Sequence, residues 1–291
     1  MIPLLRALVL ALGLYFGIPV VQISGTLQGQ TAPTDSILAI AHTLFTEASI
    51  LANQGHQDEA ESKFQRVLDI REQALGLDHP DVALTLHNLG FIYNAQGRYA
   101  EAEPLLRRAL IIREAALGPQ HLEVALTLNS LAFTYGVRSR YEEAEPLYER
   151  ALAIDEIVLG PNHLEVAHVL SNLGMLYDDL DRYIEARSVY ERVLAIRETV
   201  LGLGHPDVAD ALINLASLYH HQELYAEAIP LYRRSLDIRK VEFGPEHSDT
   251  GLALENLILA CELFFALPYI VQEQQSITAP ESMTVLCRPS P

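Results

Sequence analysis

The sequence predicts an all-α fold, a solenoid of stacked helical hairpins with an apolar helix ahead of it. Three observations carry this reading. A Leu-Gly-x-x-His landmark stands at Leu75-Gly76 with His79, Leu117-Gly118 with His121, Leu159-Gly160 with His163 and Leu201-Gly202 with His205, and Phe243-Gly244 with His247 keeps the 42-residue step. Each period holds two apolar stripes at helical spacing, split by a turn. Small residues recur in fixed slots between the stripes, where two helices must approach closely. A constant interval without an insertion marks a repeat array, whose contacts are local and which offers an extended surface rather than a pocket.

Residues 1–30 differ from the rest. Arg6 is the only charged side chain before Asp35, and from Ala7 to Ile23 only Gln22 is polar. The run is long for the apolar part of an export signal and close to the lower limit for a spanning helix. A cleaved signal and an uncleaved anchor that meets the membrane through residues 7–23 both stay open. Arg6 favours a cytoplasmic N-terminus. Either way, the repeats are expected on the non-cytoplasmic side, anchored or exported to the periplasm or outside.

Five hairpins are expected over 36–78, 79–120, 121–162, 163–204 and 205–246, with a lone closing helix at 248–265. In the copy from Pro80 to Gly118, the first helix has Val82, Leu86, Leu89, Gly90 and Tyr93 on one stripe. Gln96-Gly97 breaks it, as Gly does at a C-terminal cap. The second helix has Ala102, Leu105, Leu106, Ala109 and Ile112, and Leu117-Gly118-Pro119 stops it. Neither stripe buries itself, so hairpins must stack. Gly90, Ala132, Gly174 and Ala216 share the close-approach slot, and Ala60, Ala102, Ala144, Ala186 and Ala228 share another. Tyr93, Tyr135, Tyr177 and Tyr219 form a third ladder. Pro80 and Pro206 open first helices, where a missing N–H is harmless. Pro104, Pro146 and Pro230 are expected near the first turn of second helices. The first hairpin is degenerate, as end repeats are, and residues 268–291 match no repeat and are expected to form a flexible tail.

Leu89-Gly90 with Tyr93, then Ala102, Leu106 and Ala109, resemble the tetratricopeptide repeat. The 42-residue step, with YAEAEPLLRRALIIREAALG and HPDVALTLHNLG, is similar to the kinesin-light-chain type of that repeat, of which many arrays are bacterial. The resemblance covers residues 36 to about 265. It implies a right-handed superhelix whose first helices line a concave groove that takes peptide or protein partners. Matching lining slots fall on Leu84, Asn88 and Phe91; Leu126, Ser130 and Phe133; His168, Asn172, Met175 and Asp178; Asp210, Asn214 and Ser217; and Asn256. The Asn/Ser slot has two readings, pairing with a peptide backbone or bridging helices within the stack. Lys and Arg, which grip acidic tails in some family members, are missing from these slots. The lining is apolar early and acidic late, which fits an extended partner with an apolar and a basic part.

The formal net charge of −18 disfavours nucleic acid and favours basic or neutral protein partners. Cys261 sits in the Tyr slot of the closing helix and Cys287 in the tail; the two read as one core and one incidental cysteine rather than a pair. The His ladder cannot share a metal: ligands lie ~2 Å from a zinc ion, whereas successive hairpins are at least ~8–10 Å apart. A turn or helix-start contact is the expected role. His220 and His221 diverge by about 100° around a helix and make a poor chelate, even with Asp178 and Asp179 one repeat earlier. No nucleophile motif or phosphate loop stands out, so no catalytic residue, metal or cofactor is expected. The expected function is a non-catalytic scaffold for protein partners; the alternative is a self-assembling structural protein stacked end to end.

Overall fold

The computed structural model describes residues 33–267 and 280–287. The apolar run at 7–23, with the signal-or-anchor reading, lies outside the described residues. All regular structure among the described residues is helical. Hairpins are formed by α1 (Pro33–Asn53) with α2 (Gln57–Leu75), and by α3 (Pro80–Ala95) with α4 (Tyr99–Leu117). Next come α5 (Leu122–Gly136) and α6 (Tyr141–Leu159), then α7 (Leu164–Asp179) and α8 (Tyr183–Leu201). The last pair is α9 (Pro206–His221) and α10 (Tyr225–Phe243), followed by the lone α11 (Ser248–Ala266) and a short α12 (Pro280–Leu286). The chain divides into two compact units, 1–147 and 148–291, within α6.

The turn geometry explains the constant step. Gly76, Gly118, Gly160, Gly202 and Gly244 end the second helices at φ between 85° and 91°. A Cβ at these glycines would meet nothing, so the left-handed backbone, not space, calls for glycine. Between the two helices of a hairpin the same region is taken by Gly55 and Gly97, but then by Ser139, Asp181 and Glu223 at φ 57–59°. Glycine is favoured there without being required. Pro80 and Pro206 open α3 and α9 as expected. Pro104, Pro146 and Pro230 sit at the sixth residue of their helices, deeper than the first turn. The carbonyl that Pro104 leaves without a donor belongs to Ala100, whose residue is exposed and open to water.

In the first unit, Ala41, Phe45 and Ala48 of α1 are buried with Ala60, Phe64 and Val67 of α2. The Phe45 and Phe64 rings meet edge to face at 5.3 Å. The stretch Thr34–Asn53 is long and apolar enough to cross a membrane by length and composition, and here it forms the first helix of the degenerate hairpin. Val82, Ala83 and Leu86 of α3 cluster with Ala109 and Ile112 of α4. The small-residue slot is filled to contact: a Cβ on Gly90 would fall 2.6 Å from Leu106 Cγ. In the second unit the slot at Gly174 faces the ring of Tyr190, 2.5 Å from a Cβ. Val166, Ala167 and Leu170 of α7 pack with Val193 and Ile196 of α8 and Ala211 of α9.

Two polar ladders tie hairpins together. Arg98 lies over the Tyr93 ring at 4.1 Å and reaches Glu61 on α2 at 2.7 Å. Arg140 repeats this over Tyr135 at 4.3 Å, reaching Glu103 at 2.9 Å. The second ladder is buried arginine. Arg71 Nη1 donates to the Asp81 carbonyl and to Thr85 Oγ1, and Arg113 Nη1 to the Glu123 carbonyl and Thr127 Oγ1. Arg197 and Arg239 donate to the Asp207 and Asp249 carbonyls. Each arginine thus satisfies a carbonyl in the first turn of the following first helix.

The ladder breaks at Asp155, which stands where the arginine belongs and is 6% exposed. Burial first, then Glu165, pushes its carboxyl up to about 7, and His168 opposes the shift. In the first unit His87 occupies the slot that Phe45 fills one repeat earlier. It is fully buried with no partner for Nδ1, and burial, with Arg113 nearby, holds its pKa well below 6.5.

The expected structure of 268–291 as a flexible tail does not hold for 280–287. There α12 is joined to α11 by a Cys261–Cys287 disulfide, so the reading of one core and one incidental cysteine is also corrected. Tertiary folding brings together two thiols 26 residues apart, a pairing that two cysteines in a sequence cannot disclose.

These two groups have opposite linkage. A folded-state pKa below the unfolded one makes His87 contribute stability above about pH 6.5 that is lost as pH falls. A raised one makes Asp155 contribute stability that is present below its unfolded pKa and lost as pH rises to about 7. Urea unfolding across pH 4–8 should show His87→Phe gaining on the wild type below about pH 6.5. Asp155→Asn should gain on it as pH rises from about 4 to 7. Parallel curves for variant and wild type would remove the assignment.

Candidate functional site

The expected lining residues lie on first helices in both units. In the first unit, Leu84, Asn88 and Phe91 on α3 and Leu126 and Ser130 on α5 are half-buried. Asn88 Nδ2 donates to the Leu84 carbonyl at 2.8 Å, and Ser130 Oγ to the Leu126 carbonyl at 3.1 Å. These bonds stay within one helix and commit one of the two amide hydrogens of Asn88. Phe133 is only 9% exposed and packs edge to face on Tyr99, with ring centres 6.5 Å apart. It is core more than lining.

In the first unit a helix-bridging role is taken by a residue outside the Asn/Ser slot. Asn94, buried on α3, donates to the Ser130 carbonyl at 3.4 Å and accepts from Thr134 Oγ1 at 3.0 Å. Both partners are on α5.

In the second unit, His168, Met175, Asp178, Asp210, Asn214, Ser217 and Asn256 are half-buried, while Asn172 is buried. His168 Nδ1 lies 3.4 Å from Glu165 Oε2, and that contact holds the Glu165 carboxyl below its usual range. Asp178 Oδ2 is 3.0 Å from His221 Nδ1 and raises the His221 pKa. Asp210 Oδ1 accepts from Arg239 Nη2 at 2.5 Å. Burial nonetheless raises its carboxyl pKa, against the pull of Arg239 and Arg197. Two of the acids that make this stretch look negative therefore already have partners. Ser217 Oγ and the Tyr232 hydroxyl are 3.2 Å apart.

Two lining residues escaped the sequence reading. Leu252 and Leu259 on α11 occupy the slots of Asp210 and Ser217 and are 45% and 47% exposed. The 42-residue step extended beyond the fifth hairpin would have found them. Tyr99 and Tyr225, which open α4 and α10, contact Phe133 and His220 respectively. Their recurrence with Tyr141 and Tyr183 is a second legible signal.

The His ladder is a set of helix caps. The Nδ1 atoms of His79, His121, His163, His205 and His247 accept from the backbone N–H two residues on, at 3.1–3.2 Å. That bond satisfies one of the amides orphaned at a helix start. The acceptors are followed by Asp81, Glu123, Glu165, Asp207 and Asp249, acids that the helix dipole favours there. His220 and His221 diverge as expected. His220 packs edge-on against Tyr225 at 5.2 Å, and burial lowers its pKa. Among the described residues no group of three or more His, Cys, Asp or Glu could hold a metal ion.

Four stretches, residues 39–110, 81–156, 123–199 and 207–263, match the family model described as "Tetratricopeptide repeat". No curated protein matches the chain. Solved structures share the fold. One is a Podosopora anserina protein described as a kinesin light chain with nearly identical TPR-like repeats, 24% identical over 70% of this chain and 97% of that one, with a TM-score of 0.59. A second is BtubC (BKLC) from P. vanneervenii, at 20% identity over 90% and 96%, with a TM-score of 0.57. A third is the apo form of RapI, at 17% identity over 81% and 80%, with a TM-score of 0.64.

The cap predicts a graded response. His121→Ala should destabilise the protein by about 1 kcal/mol in urea unfolding, and His121→Asn should retain most of that stability because Asn caps equally well. Equal losses in the two variants would count against capping. The paired helices, the recurrent turns and caps, and a family model that spans most of the sequence agree: the chain belongs to the tetratricopeptide-repeat family, with solved neighbours of the kinesin-light-chain kind.

Proposed function

We propose that this protein is a non-catalytic scaffold that binds peptide or protein partners along the faces of its first helices. One observation carries the reading. Apolar side chains recur in the same slots without being buried: Leu84, Phe91 and Leu126 in one unit, Leu252 and Leu259 in the other. In a repeat whose core positions are almost completely buried, a half-exposed apolar slot kept in register is surface held open for a partner. Within either unit an extended segment would combine main-chain hydrogen bonds, to Asn88 and Ser130 in the first or to Asn214 and Asn256 in the second, with side-chain contacts to the apolar slots. The net charge of −18 favours a partner with basic residues beside apolar ones.

The same proposal places the repeats outside the cytoplasm, as an exported or membrane-anchored array. The Cys261–Cys287 disulfide supports that placement, because such bonds persist in oxidising compartments.

Peptides selected from a random display library on the purified chain provide the test. Phe91→Asp with Leu126→Asp, both half-exposed, should weaken the selected peptides at least about tenfold, or ~1.4 kcal/mol, with the melting temperature little changed. Failure to enrich any peptide, or undiminished affinity in the double variant, would sink the proposal. Phe133 is unsuited to this test because its ring is buried.

A further inference from the structure

Among the described residues, the last first helix, α11, is paired with no second helix of the usual kind. In complete hairpins that partner presses on the small-residue slot. In α11 the slot holds Ile258, which is 46% exposed. A side chain of that size leaves no room for the usual close approach, so α11 must be held by other means.

The neighbouring ladders are rebuilt at this point. In earlier repeats the Tyr hydroxyl meets a polar group on the preceding second helix: Gln65 with Tyr93 at 3.1 Å, and Arg107 with Tyr135 at 2.8 Å. One further rung would pair Arg233 with a tyrosine at 261. That position is Cys261, bonded to Cys287. Arg233 Nε donates instead to the Leu286 carbonyl at 2.8 Å, and Nη2 shares the acceptor. Met283 of α12 is 3% exposed in a cluster with Leu257 and Phe264 of α11 and Tyr232 and Leu236 of α10. The clasp therefore consists of one covalent bond, one arginine on a helix-end carbonyl and one buried methionine.

We propose that the Cys261–Cys287 disulfide is a redox-operated clasp that holds α11, and with it the last rung of the partner-binding face, onto the stack. A seven-residue helix does not hold itself together in water. Its persistence depends on what ties it down. Cys287 is half-buried while Cys261 is buried, so Cys287 Sγ is the sulfur open to attack. A thiolate of a dithiol reductant forms a mixed disulfide with Cys287 and expels Cys261 as a thiolate. The second thiol of the reductant then displaces Cys287. The reductant leaves as its own disulfide, and two electrons and two protons end on the protein as two thiols. With the bond open, α12 leaves its seat and α11 loses its covalent tie at Cys261 and the Met283 side chain clustered with Leu257 and Phe264. Leu252, Asn256 and Leu259 are then no longer held in line with the slots of α9.

The role of α11 in binding rests on the proposed function, but the clasp itself is tested without any partner. Amide hydrogen exchange on the full chain is compared with and without dithiothreitol, and on Cys287→Ser. Reduction or substitution should raise exchange at least tenfold in 248–266 and 280–287 while α3 and α4 stay protected. Reduced protein in which both segments keep their protection would overturn the proposal. So would a uniform rise along the chain, because that is global destabilisation. Loss of selected-peptide binding on reduction would add the binding role. Unchanged binding together with a frayed α11 would remove that role and leave the clasp.

Discussion

No hairpin of this protein can bury its own apolar stripes, and that constraint shapes everything else. Val82 and Leu86 on one helix pack with Ala109 and Ile112 on the other, and Leu68 of the preceding hairpin packs against the same cluster. Stability in such an array is a sum over neighbouring contacts, so the spacing of hairpins must be uniform. The repeated glycine at φ near 90° and the histidine cap after it set that spacing from local geometry alone. The small slot then sets how close the paired helices come. Gly90 against Leu106 and Gly174 against Tyr190 are filled so tightly that a methyl group would intrude.

Polar groups inside this packing are treated alike from repeat to repeat. A buried arginine caps a carbonyl at the start of the next hairpin, and a stacked arginine ties the Tyr ladder to a glutamate on the preceding second helix. Where the pattern fails, the cause is visible. Asp155 in an arginine slot has a carboxyl that resists ionisation, and His87, at the position Phe45 holds one repeat earlier, resists protonation. Both are costs that a uniform array would not carry, and they make its stability depend on pH from opposite directions.

The binding face is what remains once packing and capping have taken their residues. Phe133 and Asn172 belong to the core, Asp210 to Arg239 and Asp178 to His221. Leu84, Phe91 and Leu126 in one unit, and Leu252 and Leu259 in the other, are left with open surface. The acidic character expected late in the array is therefore milder than a count of carboxylates suggests. Apolar residues return in these slots on α11, where Leu252 and Leu259 follow Asp210 and Ser217.

Much of this was legible in the sequence because it is written locally. Helix pairs follow from the apolar period, helix ends from Gly and Pro, caps from the His-x-Asp/Glu spacing, and the family from several copies in register. These signals act over a few residues and need no knowledge of the fold. Other features depended on which distant residues meet. Cys261 looked like a core residue because it sits in the Tyr ladder, yet its partner comes from beyond the last repeat. Asp210 looked free because Arg239 lies 29 residues away. Ser139, Asp181 and Glu223 adopt a backbone that their side chains disfavour, because hairpin packing outweighs a cost of about 1–2 kcal/mol. A local pattern fixes what each helix is; only the assembled stack decides which side chains are left over for a partner.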